Sequence, residues 1–289
     1  MIDSLRTAVG WRTISGRRPA NQDAVLTARL EDGRELIAIA DGMGGHKAGE
    51  VASERALQTI LAALQRGCSL GAAVAEANTA VYRAAQENAA WRGMGTTVVV
   101  LLRSAHSYEI ASVGDSRAYR VSASGIEQIT RDHCLMAEAL AAGGMSAEAV
   151  RHSRWRNALT RSIGTDATVE VDVFGPFELA QTHTVLLCTD GLHGTVSDSV
   201  MRRHLADISD PAAAAQRLVE EAYRNGSSDN ITVAVLAFGQ PAPTLNVVPR
   251  RREGTPMPQT TPRRYPIVLT APPSERNRSW LQRLLTLFS

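Results

Sequence analysis

Lysine is almost missing from this chain: of its 31 basic residues, Lys47 alone is not an arginine. We read that bias as genomic composition rather than function. Cysteine is also scarce. Cys68, Cys134 and Cys188 form no CxxC pair, and an odd count gives no closed disulfide framework, so a reducing, cytoplasmic setting is expected. No segment reaches the ~20 apolar residues that span a bilayer. The opening Met1-Ile2-Asp3-Ser4-Leu5-Arg6 lacks the basic and apolar stretches of a secretory leader. Gly44-Gly45 is followed by no Gly-Lys-Ser/Thr, so ATP binding is not implied, and the histidines show no HExxH spacing. No basic stripe interleaved with aromatics appears, which argues against nucleic acid as a partner.

Proline divides the chain. Residues 1–239 contain three prolines, Pro19, Pro176 and Pro211, whereas residues 240–289 contain nine. A folded domain is therefore expected over 1–239. It is followed by a Pro/Arg-rich linker over 240–275 with the composition of an extended, disordered segment. The last fifty residues carry eight arginines against Glu253 and Glu275, so the mild basicity of the whole chain comes from its tail. Within 276–289, Trp280, Leu281, Leu284, Leu285 and Phe288 share one helical face, with Arg276, Arg278 and Arg283 near it. That pattern predicts a short basic amphipathic helix that attaches to an anionic membrane surface, docks on a partner kinase or scaffold, or packs back on the domain.

Inside the domain, Val25–Leu30 and Glu35–Ala40 read as strands joined by Glu31-Asp32-Gly33-Arg34, where the Asp-Gly pair signals a hairpin. Helices are expected around Leu57–Leu64 and from Gly71 to Ala90. Strands are expected at 96–102, 107–113, 118–121, 126–130, 169–174, 185–188 and 231–238, and a helix at 211–224. Between Asp132 and Arg161 the pattern is helical but irregular around Gly143-Gly144, suiting a mobile flap beside a site. Strands in hairpins with helices in separate pairs indicate an α+β fold.

Five short signatures punctuate these elements in order: Arg18-Pro19-Ala20-Asn21-Gln22-Asp23, Asp41-Gly42-Met43-Gly44-Gly45-His46, Gly114-Asp115-Ser116-Arg117, Thr189-Asp190-Gly191 and Ser228-Asp229-Asn230. Alone, each is an ordinary turn, because Asp, Gly, Ser and Asn dominate turns for local conformational reasons. Asp23 and Asp41, however, fall at the non-turn ends of one hairpin, where paired strands can bring two carboxylates to a shared cation. Oxygen-only donor sets of this kind suit Mg²⁺ and Mn²⁺.

In the order, identity and spacing of these five motifs, residues 5 to 238 closely resemble the PPM/PP2C family of metal-dependent protein serine/threonine phosphatases, in its bacterial branch. The resemblance implies a sandwich of two antiparallel β-sheets flanked by pairs of antiparallel helices. It also implies a centre of two Mg²⁺ or Mn²⁺ ions, with Asp41 bridging them, the Gly42 carbonyl as a further ligand, and Asp190 and Asp229 completing the first-metal site. Asp23 would orient a metal-bound water, and Arg18 would bind the substrate phosphate. Asp115 matches a position that helps hold a weaker third metal, although its turn could equally be structural.

Two features depart from common family patterns. Gln22 stands where glutamate is frequent, and Met43 stands where eukaryotic relatives carry a histidine. His46 is nearby as a catalytic or merely structural residue. Arg151, Arg154, Arg156 and Arg161 could meet acidic or phosphorylated substrate segments, or be solvated. The expected activity is hydrolysis of phosphoserine and phosphothreonine by a metal-activated water, reversing a Hanks-type kinase, with phosphoproteins and that kinase as partners. The alternatives are a catalytically weak phosphoprotein-binding scaffold and a phosphatase of an anti-sigma-factor antagonist.

Overall fold

The computed structural model describes residues 7–45, 48–122, 124–141, 158–179, 184–205 and 210–238. The expected linker 240–275, the helix 276–289, His46, the centre of the flap, and Arg151, Arg154 and Arg156 lie outside these residues.

One sheet is built from β1 (Thr7–Ile14), β11 (Ile231–Phe238), β10 (Thr184–Cys188), β7 (Arg117–Ser122) and β8 (Gly125–Gln128), in that order across it. The other runs β2 (Asp23–Arg29), β3 (Glu35–Met43), β5 (Val98–Arg103), β6 (Ser107–Val113) and β9 (Asp172–Glu178), with the two-residue β4 (Gly95–Thr96) paired to the end of β3. Every pairing is antiparallel. Strand periodicity explains the layering, since successive side chains point to opposite faces. On β3, Ile37 and Ile39 enter the core between the sheets with Val99, Leu101, Val185, Leu187, Ala234 and Leu236. Leu36, Ala38 and Ala40 turn the other way, into a second core beneath α1 (Ala48–Gln65) and α2 (Leu70–Glu87).

A third core lies on the opposite side. Tyr119, Leu186, Val233 and Val235 meet Ala214, Leu218 and Ala222 of the helix Pro211–Arg224 and Met201 of the helix Asp198–Leu205. Strands buried on both faces lose polar alternation, and β11, Ile-Thr-Val-Ala-Val-Leu-Ala-Phe, is buried along its whole length. The expected α+β sandwich with flanking helices is therefore the fold observed.

Local signals set several boundaries. Ser69 caps α2 by accepting the Ala72 N–H, and Asp210 caps the helix that Pro211 begins by accepting the Ala212 N–H at 2.9 Å. Four elements differ from expectation. The strand β1 and the short helices Asp190–His193 and Asp198–Leu205 are additional. The strand expected at 169–174 runs instead from Asp172 to Glu178, while Val169 and Val171 pack beside the α1–α2 core. In the irregular 132–161 segment, Leu135–Ala141 is the helix among the described residues.

The register of β1 on β11 fixes the ends of the fold. Thr7 lies opposite Phe238 and Ile14 opposite Ile231. The loop after β1 and the turn before β11 therefore meet at one end of the sandwich.

Candidate active site

Asp23 and Asp41 are direct cross-strand partners on β2 and β3. At the same end, Asp190 follows β10, Asp229 precedes β11 and Asp115 sits in the turn after β6. Arg18, Gln22, Asp41, Gly42, Met43, Asp115, Asp190, Asp229 and Asn230 are among the residues lining one cleft of about 880 Å³. All the residues expected to act together thus line that cleft except Asp23, which is buried and does not line it.

Asp23 is held from one side. Its Oδ2 accepts hydrogen bonds from Thr189 Oγ1 at 3.0 Å and Thr232 Oγ1 at 2.6 Å, while its Oδ1 is buried with no hydrogen-bond partner among the described residues. Asp190 Oδ1 is in the same condition. Buried acceptors of this kind carry a desolvation cost until something donates to them or coordinates them.

Arg18 is the cation at the cleft mouth. Its Nη2 donates to Asp229 Oδ2 at 2.8 Å and its Nε to the Ser228 carbonyl at 3.2 Å, with the Arg18 side chain 54% exposed.

The crowding of carboxylates has the expected electrostatic effect. Burial first, and then the charges of Asp190 and Asp229, push Asp23 up to about 7. Burial, followed by Asp190 and Asp132, does the same to Asp115, also to about 7. Burial and then Asp23 hold Asp41 well above the usual carboxylate range, and burial and then Asp229 raise Asp190. Such a cluster gains from a nearby cation.

The turn bearing Asp115 is braced by two histidines. The Gly114 N–H donates to His133 Nδ1 at 3.1 Å, so that ring carries its proton on Nε2, which faces Asp172 Oδ2 at 3.3 Å. His193 Nε2 donates to the Asp115 carbonyl at 3.0 Å, and burial, then Arg117, pushes its pKa down to about 4. Arg117 grips Asp132 at 2.6 Å, and Ser116 Oγ pairs with Thr97 Oγ1 at 2.7 Å.

The family model described as protein phosphatase 2C matches residues 15–224. The chain belongs to this family. It is 36% identical over 239 residues to the serine/threonine phosphatase stp of Listeria welshimeri, covering 78% of this chain and 94% of that one. It is 34% identical over 246 residues to the protein phosphatase PhpP of Streptococcus pneumoniae, covering 82% of this chain and 97% of that one. Among solved structures, the serine/threonine phosphatase Stp1 of Staphylococcus aureus superposes with a TM-score of 0.74 at 33% identity, covering 80% of this chain and 95% of that one.

A phosphatase 2C site would need cations. Among the described residues no group of three or more His, Cys, Asp or Glu side chains forms a ready-made cage for an ion. The donor chemistry nevertheless fits a hard divalent cation. Oxygen acceptors converge from four segments, two of the buried carboxylate oxygens lack donors, and the acids repel one another.

Two glycines of the family motifs are required by close backbone approach. A Cβ on Gly42 would lie 2.1 Å from the Gly49 carbonyl oxygen, at the start of α1, and one on Gly191 would lie 1.9 Å from the Asn230 carbonyl oxygen. Backbone on both sides leaves little room to yield. Gly191→Ala is therefore expected to cost about 3 kcal/mol or more, read as a lowered urea midpoint at unchanged slope. An unchanged midpoint would show that the Asp190 and Asp229 turns are not pressed together.

Sequence reasoning did not assign Thr189, Thr232, His133 or His193, and gave Asn230 no role. Thr189 and Asn230 stand inside quoted motifs, which was the available signal. Thr232 and the two histidines carry none beyond residue type.

Proposed function

We propose that this chain hydrolyses phosphoserine and phosphothreonine in proteins, using Mg²⁺ or Mn²⁺, and opposes a serine/threonine kinase. The observation that carries this reading is the convergence of Arg18, Asp41, Asp190 and Asp229 on one cleft in a protein of this family. Two of the relatives named above, at 36% and 33% identity, are serine/threonine phosphatases, which supports the same substrate class here.

Asp41, Asp190 and Asp229 are the residues that would hold a first ion, and the Gly42 carbonyl would be a further ligand of the centre. Asp41 would be shared with a second, and Asp115 would serve a weaker third. What Mg²⁺ or Mn²⁺ supplies when bound is Lewis acidity, which makes water more acidic and offsets charge on phosphoryl oxygens. Arg18 would bind the phosphate, since a planar guanidinium can donate to two of its oxygens at once. Asp23 would orient water through Oδ1, because Thr189 and Thr232 already occupy Oδ2. The burial of Asp23 and the exposure of Arg18 support a reading in which water would approach the phosphate from inside and the protein substrate from solvent.

The test is phosphate release from a phosphothreonine peptide by the full chain, with Mn²⁺ and with EDTA. Metal-dependent release is expected. No release from folded protein supplied with Mn²⁺ across several phosphopeptides would sink the hydrolase reading and leave phosphoprotein binding without turnover.

A further inference from the structure

We infer that Asn230 is a positioning residue for phosphate binding, its side chain fixing the loop that carries Arg18 against the turn that carries Asp229. The inference rests on the proposed role of Arg18. Between β1 and β2, residues 15–22 form no helix or strand, so their backbone groups must find partners elsewhere.

One side chain provides three of them. Asn230 Nδ2 donates to the Ser15 carbonyl at 3.0 Å and to the Ala20 carbonyl at 2.9 Å, and Asn230 Oδ1 accepts the Gln22 N–H at 2.8 Å. These bonds bracket Arg18 on both sides, and Asn230 is only 5% exposed. Both amide donors are used, so an aliphatic or hydroxyl side chain cannot reproduce the set.

The loop is also pressed onto the turn. Gly16 has φ +59, and a Cβ there would fall 2.1 Å from the Asp229 carbonyl oxygen. Within the loop, the Arg18 N–H donates to the Ser15 carbonyl at 3.1 Å, the same oxygen that Asn230 holds. Asn230 therefore acts on the backbone from which the Arg18 side chain projects.

An arginine on an exposed, irregular loop would lose backbone and side-chain freedom on gripping a phosphate, and that loss weakens binding. Fixing the loop beforehand removes part of it. The expected signature is a substrate-binding defect that exists only while Arg18 is present to be positioned.

The experiment is a double-mutant cycle on the full chain with a phosphothreonine peptide and saturating Mn²⁺, comparing wild type, Arg18→Ala, Asn230→Ala and both together. Arg18→Ala is expected to raise KM about tenfold or more, and Asn230→Ala to raise it about tenfold with kcat within about threefold of wild type. In the Arg18→Ala background, Asn230→Ala should change KM by less than about twofold, because the two residues act as one unit.

A full, multiplicative effect of Asn230→Ala without Arg18 would overturn the inference. So would a loss confined to kcat, or no change in a folded variant. If Arg18→Ala itself leaves KM unchanged, the phosphate-binding role of Arg18 fails and the inference fails with it, an outcome distinct from the others. Should Asn230→Ala not fold, Asn230→Asp is judged by the same criteria, since it keeps the acceptor for Gln22 and loses both donors at nearly the same size.

Discussion

Asp41→Asn is expected to lower turnover by at least about 10³-fold while the protein unfolds at the same temperature or higher. The two halves of this result have one cause. Asp41 is half-buried at the cleft wall and its ionisation is opposed by desolvation and then by Asp23, Asp190 and Asp115, so the fold itself gains nothing from its charge. An amide of the same shape relieves the repulsion but removes a charged ligand that the proposed metal centre shares between two ions. Phosphate release and thermal unfolding, measured side by side in EDTA and in Mn²⁺, check it. Retained activity would refute the metal assignment, and a lowered melting temperature in EDTA would show that the Asp41 charge is structural.

The second large effect is in the pH dependence of stability without metal. A carboxyl whose folded pKa is raised binds its proton more tightly in the fold than in the unfolded chain. Its contribution is thus present below the ordinary value of 3.8 and is lost as pH rises through the folded value, about 7 for both Asp23 and Asp115. His193, pushed down to about 4, and His133, also lowered, act in the opposite sense, adding stability as pH rises towards 6.5.

Below pH 6.5 these contributions oppose each other, whereas above it the carboxylates act alone. In EDTA, stability should therefore fall between pH 6.5 and about 8, by about 1–2 kcal/mol for Asp23 and Asp115 together, since most of the loss on each falls below pH 6.5, where the histidines offset it. Mn²⁺ should largely abolish the fall, since an ion that binds the folded, deprotonated site stabilises it. Asp190→Asn should lessen it, because the Asp190 charge adds to the burial that chiefly raises both Asp23 and Asp115. A flat profile for the wild-type protein in EDTA would show that the carboxylates are not packed closely enough to repel.

Where residues carried a local chemical reason, the sequence could be read. The Asp-Gly turn at 32–33 set the register that places Asp23 opposite Asp41, the spacing of Leu57, Ile60, Leu61 and Leu64 located the second half of α1, and alanine-rich sequence located α2. The β1 strand was not legible, because Gly10 interrupts it for a tertiary reason: a Cβ there would lie 2.1 Å from the Ala212 nitrogen. At the edge of its sheet, β9 pairs with β6 alone and mixes exposed and half-buried positions around Pro176, so its pattern was weak and its start was misplaced. Within the site, acids and glycines could be recognised because their chemistry is distinctive. Thr232 could not be, and Asn230, though inside a quoted motif, showed no sign of its role, since their partners lie more than two hundred residues away.

The antiparallel register of β1 on β11 also decides which way the molecule faces when it is held. Asp229 stands at one end of β11 and Phe238 at the other, so the described chain leaves the fold on the order of 25 Å from the cleft, at about 3.3 Å per strand residue. A bead, a surface or a fused protein joined directly to Phe238 would sit at the end of the sandwich away from the cleft, leaving the cleft turned outward.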